Sequence, residues 1–441
     1  MEVAVPALPV VVIGAGPVGL AAGAHLRDRG LPALVLEAGD AVGAAVREWG
    51  HIRTFTPWQW IVDPTAERLL STTGWTRPGA PVPPTGDELA DHYLEPLAAA
   101  LGDAVRTGAR VEAVTRDGDD FVVRLADGDA VRARAVIDAS GTWNGQNGLG
   151  AQGEAEAGAF LVGPLPDVLG RDRARFAGRR TLVVGAGHSA ANTLLALGEL
   201  ARQEPGTEVV WAVRGGSPER VFGGGEADQL EARGRLGSDL QQLVTSGAVE
   251  LHTGFAVEEL TVEGDTATAR SGDRTISGLH NVAAATGFSP DLVMLDGLRL
   301  DLDPEVQAPS RLAPLIDPRF HSCGTVPPHG HRDLAHPETG FYVVGMKSYG
   351  TAPTFLVTTG NEQVRSVVAA LAGDLAAADA VELVLPETGV CSVGPTGEDT
   401  GCCDDDTHRA RPEGVPAQGF VTGLPGGGKV AELVGGGCCA G

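Results

Sequence analysis

Two glycine turns of one kind occur in this chain, and each follows an apolar run. The first reads Val11-Val12-Ile13-Gly14-Ala15-Gly16-Pro17-Val18-Gly19, and the second Val183-Val184-Gly185-Ala186-Gly187-His188-Ser189-Ala190. In such a turn a buried strand ends, glycines allow the tight bend, and backbone N–H groups at a helix N-terminus face a pyrophosphate. A chain that makes the turn twice is predicted to be α/β, with two Rossmann-like dinucleotide-binding domains. Two bound dinucleotides would let electrons pass from one to the other.

The flanking residues support each turn. After the first, Leu20 to Leu26 reads as a small-residue helix closed by Gly30, and Leu34-Val35-Leu36 as a second strand ending in Glu37. An acidic residue roughly 20 positions beyond the glycines is where adenosine ribose hydroxyls are held. Gly14, Gly16, Pro17, Gly19 and Glu37 are therefore cofactor-binding candidates. The second turn supplies Gly185, Gly187, His188, Ser189 and Ala190, with alanine allowed in the third place. Its second strand, Glu208 to Val213, ends in Arg214 instead of an acid. An arginine there removes the ribose acceptor and offers a cation to a 2′-phosphate, so NADPH is expected over NADH, with Arg220 as a further contact. The alternative for Arg214 is a solvated charge at a strand end.

The formal net charge of −24 excludes nucleic acid and anionic membrane as natural partners. The N-terminal apolar stretch is the first strand, interrupted by its own glycine turn, and no other run reaches the length of a membrane span. The expectation is a cytoplasmic protein.

Between the turns, Val46 to Trp60 gathers three tryptophans with His51, Arg53, Phe55 and Pro57. Thr85-Gly86-Asp87-Glu88 caps a helix running to about Leu101. Alternating runs at Arg110–Thr115, Asp120–Leu125 and Ala130–Ala133, separated by Asp-Gly pairs, predict a small β-meander. Ala135 to Ala139 is a strand returning beneath the first sheet and ending at Ser140-Gly141. The second unit begins near Arg179 and closes with Asn281 to Gly287. Gly340 to Gly345 is a last buried strand, and Asn361 is expected to cap a helix with Val364, Val367, Val368 and Leu371 on its apolar face. Gly141, Gly287 and Gly345, at these strand ends, join the cofactor-binding candidates. The predicted organisation is a first domain over 1–150, a second over 151–290 inserted into it, the return of the first over 291–385, and a flexible Gly/Pro/Asp-rich tail over 386–441.

These residues resemble the two-dinucleotide-binding-domain flavoproteins, in particular the flavin-containing monooxygenase branch, over roughly residues 8 to 375. The resemblance rests on Gly14-x-Gly16-x-x-Gly19 with Glu37, Gly185-x-Gly187-x-x-Ala190 with Arg214, and the strand end Ala285-Thr286-Gly287. It implies FAD at the first site, NADPH at the second, and a reduced flavin that reacts with O₂. Two departures matter. The branch carries F-x-G-x-x-x-H before its second turn, and here Leu161 to Asp167 supplies Gly163 and no histidine. No C-x-x-C or C-x-x-x-x-C lies near the flavin segments, which argues against a thioredoxin- or glutathione-reductase type of chemistry. More narrowly, Ser322 to Val326, Gly340 to Gly350 and the cysteine tail look like flavoproteins of bacterial arsenic-resistance operons.

Five of the six cysteines stand in the tail: Cys391, Cys402, Cys403, Cys438 and Cys439. Adjacent Cα atoms are about 3.8 Å apart, short of the roughly 4.4–6.8 Å usual in disulfides, so a reduced vicinal dithiol is expected. Cys402, Cys403, Cys438 and Cys439 are thus candidate ligands for a soft metalloid; a dispensable tail is the alternative. A tail of this length reaches its own site or that of a second copy in a homodimer. His321, Cys323, His329, His331 and His336 match no zinc spacing and read better as a substrate loop. Lys347, His329 and Cys323 are the candidate catalytic residues, with a surface position equally open for Lys347. The reading is an FAD- and NADPH-dependent oxidoreductase, monooxygenase-like, acting on a small-molecule substrate such as arsenite or an organoarsenical. The alternatives are a metal-ion, quinone or disulfide reductase, and a metalloid-binding thiol protein with a flavin site.

Overall fold

The computed structural model describes residues 7–79, 82–223, 228, 230–321 and 326–385. The sequence beyond 385, with its five tail cysteines, and Cys323 lie outside the described residues.

Two five-stranded sheets carry the two glycine turns. The first has the order β16-β7-β1-β2-β3, built from β1 (Val10–Ile13), β2 (Ala33–Leu36), β3 (Val105–Arg106), β7 (Ala135–Asp138) and β16 (Phe341–Val343). All its pairings are parallel, with Val10 opposite both Ala33 and Ala135. Parallel strands are covered on both faces, and Val10, Val11, Val12 and Ile13 are all buried. The strand predicted at Ala135–Ala139 lies within this sheet, between β1 and β16, not beneath it.

The second sheet has the order β11-β10-β9-β15-β8 and is also parallel. Its strands are β8 (Leu161–Val162), β9 (Arg180–Val184), β10 (Glu208–Ala212), β11 (Glu250–His252) and β15 (Asn281–Ala284). Since the first sheet takes strands from both sides of this stretch, the second dinucleotide-binding fold is inserted within the first. Two antiparallel three-stranded meanders complete the β structure of the described residues: β4 (Val111–Asp117), β5 (Asp120–Leu125) and β6 (Ala130–Ala133), then β12 (Glu259–Glu263), β13 (Thr266–Ser271) and β14 (Arg274–Leu279).

Three helices position the sites: α1 (Pro17–Asp28), α2 (His188–Gln203) and α3 (Val357–Leu371). Two helix expectations need correction. The segment after Thr85 has the full capping box with Glu88, but the run to Leu101 is broken by a π-helical stretch, Ala90–Leu94. Asn361 does not cap α3. The helix begins four residues earlier with Leu356 as N-cap, and Asn361 is buried inside it, donating to the Ile61 carbonyl at 3.2 Å. Val364, Val367 and Val368 are buried as expected. Competition between a side-chain cap and tertiary packing was settled here by packing.

The two folds are joined by two crossing segments that pair with each other. Asn147 N–H donates to the Gly287 carbonyl at 3.0 Å, and Ser289 Oγ donates to Asn147 Oδ1 at 2.7 Å. Trp143 stacks on Phe288 at 5.4 Å, and its indole N–H donates to Glu48 at 2.7 Å.

Candidate dinucleotide sites

At the first turn, the three glycines meet three different demands. Gly14 has φ +97°, and a Cβ there would stand 2.8 Å from the Ala139 carbonyl oxygen. Gly19 faces the turn so closely that its Cβ would lie 1.9 Å from the Gly14 carbonyl oxygen. At Gly16 a Cβ would meet no protein atom within 4 Å. The middle glycine is therefore not required by the protein's own packing; it keeps open the space before the helix, where a pyrophosphate approaches. Pro17 opens α1, and no side chain caps that end, so its first N–H groups point outward. Glu37 is nearly buried, accepting from Ala15 N–H at 2.8 Å and Gly39 N–H at 3.0 Å. Its carboxylate is thereby held beside the turn with lone pairs left for ribose hydroxyls.

The second turn repeats the pattern. Gly185 has φ +136°, and a Cβ would sit 2.1 Å from the Ala285 carbonyl oxygen; at Gly187 a Cβ would meet nothing. Ala190, in the third place, is fully buried. Trp211 Nε1–H donates to the Gly185 carbonyl at 2.7 Å and holds the bend from the neighbouring strand. His188 and Ser189 open α2, which again has no side-chain cap. The His188 ring lies 5.0 Å from that of Phe55, a residue of the tryptophan-rich segment. Burial lowers its pKa to about 4, with the Arg233 guanidinium adding to the effect, so the imidazole is neutral. Arg214 is exposed just beyond β10 and has no ion-pair partner among the described residues.

Gly141 and Gly287 have φ +71° and +94° and sit at the two crossing segments; Gly345, φ +69°, packs against Val18 of α1. The two catalytic candidates that can be described are both buried. Lys347 is 2% exposed, which removes the surface alternative, and does not face an open cleft. Its Nζ lies 2.7 Å from Asp138 Oδ2 and donates to Ser140 Oγ at 3.1 Å. His329 is 5% exposed and bonded to Gln363. Asp138, Ser140 and Gln363 were not singled out by the sequence. His331 and His336 are also buried, but His331 pairs with Asp379 at 2.9 Å and His336 accepts from Asp301 N–H, and no metal-ligating cluster forms among the described residues. No described helix is long and apolar enough to cross a membrane.

Two glycine cradles, each open before a helix N-terminus and carried on parallel sheets inserted one in the other, define a two-dinucleotide oxidoreductase. A family model described as pyridine nucleotide-disulphide oxidoreductase matches residues 11–310, and the chain belongs to that family. The family's cofactors are FAD and NAD(P)H, and both cradles fit such groups. Among relatives, a ferredoxin–NADP reductase from Thermus thermophilus is 30% identical over 195 residues, 44% of this chain and 51% of its own length. An indole-3-pyruvate monooxygenase from Oryza sativa is 32% identical over 190 residues, 42% and 44% of the two chains. The match thus spans about half the length of these relatives. The structure of a bacillithiol disulfide reductase from Bacillus cereus superposes with a TM-score of 0.63 at 19% identity, covering 83% of this chain and 99% of that one.

Proposed function

We propose that the protein is an FAD- and NADPH-dependent oxidoreductase of the monooxygenase-like kind. In this reading Gly14, Gly16, Pro17, Gly19 and Glu37 hold FAD, with Gly141 and Gly345 at its edge. Gly185, Gly187, His188, Ser189, Ala190 and Gly287 hold NADPH, and Arg214 meets its 2′-phosphate. The bound pair supplies hydride transfer from nicotinamide to flavin and then electron transfer to O₂ or to a small-molecule substrate. The observation that carries the reading is the open space at both Gly16 and Gly187, each before an uncapped helix. The exposed Arg214 supports the choice of NADPH.

Cysteine placement bears on the electron acceptor. Residues 1–322 contain no cysteine, so a redox-active thiol pair cannot come from either glycine-turn unit in that stretch. That favours O₂ over a disulfide as oxidant. A second reading keeps the reductase alternative, since Cys402-Cys403 and Cys438-Cys439 are paired in the sequence and could exchange with a disulfide. The same paired thiols make a trivalent arsenical the substrate to try first; that choice rests on those residues alone.

The test is NADPH oxidation by the purified yellow protein under air, with and without arsenite, and anaerobically with a low-molecular-weight disulfide. Oxygen-dependent consumption with a preference for NADPH, lost in Arg214→Ala, is the expected result. Consumption that needs the disulfide and ignores O₂ would replace the monooxygenase reading by the reductase one. Arsenite that neither binds nor alters consumption would remove the arsenical.

A further inference from the structure

Behind the first glycine turn lies a buried polar chain that neither the glycine pattern nor the hydride path requires. Gln363, on α3 and fully buried, has every amide atom used. Its Oε1 accepts from Gly345 N–H at 2.7 Å, and its Nε2 donates to Ser348 Oγ at 2.9 Å and to His329 Nε2 at 3.0 Å. The orientation of the amide is fixed, because a backbone N–H can only donate. The histidine tautomer follows. Nε2 must be the bare acceptor, and Nδ1 carries the proton it gives to the Pro327 carbonyl at 3.1 Å.

The other end of the chain reaches the turn. Gly345–Tyr349 is a single 3₁₀ segment that includes Lys347, and Ser348 Oγ donates back to the Gly345 carbonyl at 2.8 Å. Lys347 meets Asp138 and Ser140, whose own hydroxyl donates to Asp138 Oδ1 at 2.7 Å. A Cβ on Gly14 would lie 2.9 Å from Ser140 Cα, so this cluster forms the floor of the turn.

We propose that Gln363 and His329 are positioning residues for the first dinucleotide site, holding the Lys347 segment against Asp138 only while His329 is the neutral Nδ1–H tautomer. A proton on Nε2 would set two donors face to face. Turning the Gln363 amide to relieve that contact would place its NH₂ against Gly345 N–H, so the conflict moves along the chain instead of disappearing. His329 lines a cavity of about 170 Å³ with Pro328, Glu362 and Asp379, which brings solvent to this residue. The charged groups around it are Asp333 from its own loop, Glu362 from α3 with Arg365 bonded to it, and Asp379 held by His331 and Arg332; the Tyr349 ring packs at 5.7 Å. Burial outweighs the two facing carboxylates and keeps the His329 pKa below its ordinary value.

The proposal rests on the first site being the FAD site, and the experiment separates the two. In the holoprotein with ¹⁵N-labelled histidine and glycine, His329 should show the Nδ1–H tautomer at pH 7.5. Its titration on acidification should move the Gly345 amide, and the Kd for FAD should rise by up to about tenfold per pH unit below it. In Gln363→Glu the carboxylate accepts from both Gly345 and an imidazolium, so His329 should be protonated at pH 7. His329→Gln keeps an acceptor that cannot take a proton, and FAD retention should lose most of its acid dependence. An Nε2–H tautomer, a Gly345 amide indifferent to the titration, or FAD retention unchanged through it would each overturn the proposal. Coupled His329 and Gly345 signals in a protein that takes no FAD at any pH would support the coupling and overturn the cofactor assignment.

Discussion

The two glycine turns are the same device built with different reserves. At the first, the helix runs so close to the bend that the third position admits no side chain; at the second, the third position is the buried Ala190. The first ends its neighbouring strand in a carboxylate already tied to the turn by the Ala15 N–H and steadied by the Gly39 N–H of its own loop; the second ends its strand in an exposed arginine with no ion-pair partner among the described residues. On the reading proposed above, one site is a closed fitting for a cofactor that stays, and the other an open one for a cofactor that comes and goes.

The largest effect that could break this comparison is at the third position. Gly19→Ala puts a Cβ against a backbone oxygen that cannot yield, and a cost of about 3 kcal/mol or more is expected. Ala190→Gly only removes a methyl and loosens a helix, at about 1 kcal/mol. Thermal unfolding of the two apoproteins checks the contrast, and equal losses would mean the two helices approach their turns alike.

The middle glycines should separate binding from folding. Gly16 and Gly187 both have extended backbone, with φ of −79° and −104°, and both face open space. Alanine at either should leave apoprotein stability within about 0.5 kcal/mol. Gly16→Ala should nonetheless be purified without flavin, whereas Gly187→Ala should stay yellow and show a KM for NADPH raised by about tenfold, roughly 1.4 kcal/mol. Loss of flavin from Gly187→Ala would reverse the assignment of the two sites.

How much of this was legible beforehand divides along the same line. The turns, both β-strands that follow them, the meander and the insertion of one fold in the other could be read, because periodicity and glycine spacing are local signals. Glu37 and Arg214 were readable for the same reason. The floor of the first turn was not. Lys347 and His329 stood out singly, but Asp138, Ser140 and Gln363 did not; the five come together from the end of β7, the loop before β16, the 3₁₀ segment after it and α3, over about half the chain, and no spacing rule links them. The one local hint is Gln363, a polar residue beside Val364 on a helix whose buried face is otherwise marked by apolar residues. Asn361 is the counterpart: a residue type that favours caps, whose amide here is taken by the Ile61 carbonyl.

Acid sensitivity offers the smallest and finest comparison, because the second turn has a buried-side histidine of its own. His188 is held neutral by burial, with a pKa of about 4 against about 6.5 when unfolded. Between those values the unfolded chain binds the proton and the folded one does not, so stability is complete above pH 6.5 and falls as pH drops towards 4. His188→Gln should remove that part of the decline, recovering about 2 °C of Tm at pH 5 and nothing at pH 8. Burial lowers His329 at the first turn in the same direction. The difference lies in what each proton reaches. His188 touches Phe55 and no described hydrogen-bond chain, so its protonation should weaken folding and NADPH binding while leaving flavin in place. Scans of Tm and flavin fluorescence on one sample across pH 4.5–8 would show it: in His188→Gln, flavin release should keep the wild-type pH profile while Tm at the acid end rises. A flavin-release profile that moves with His188 would mean the two sites share one acid-sensitive element, and the contrast between a closed fitting and an open one would fail at that point.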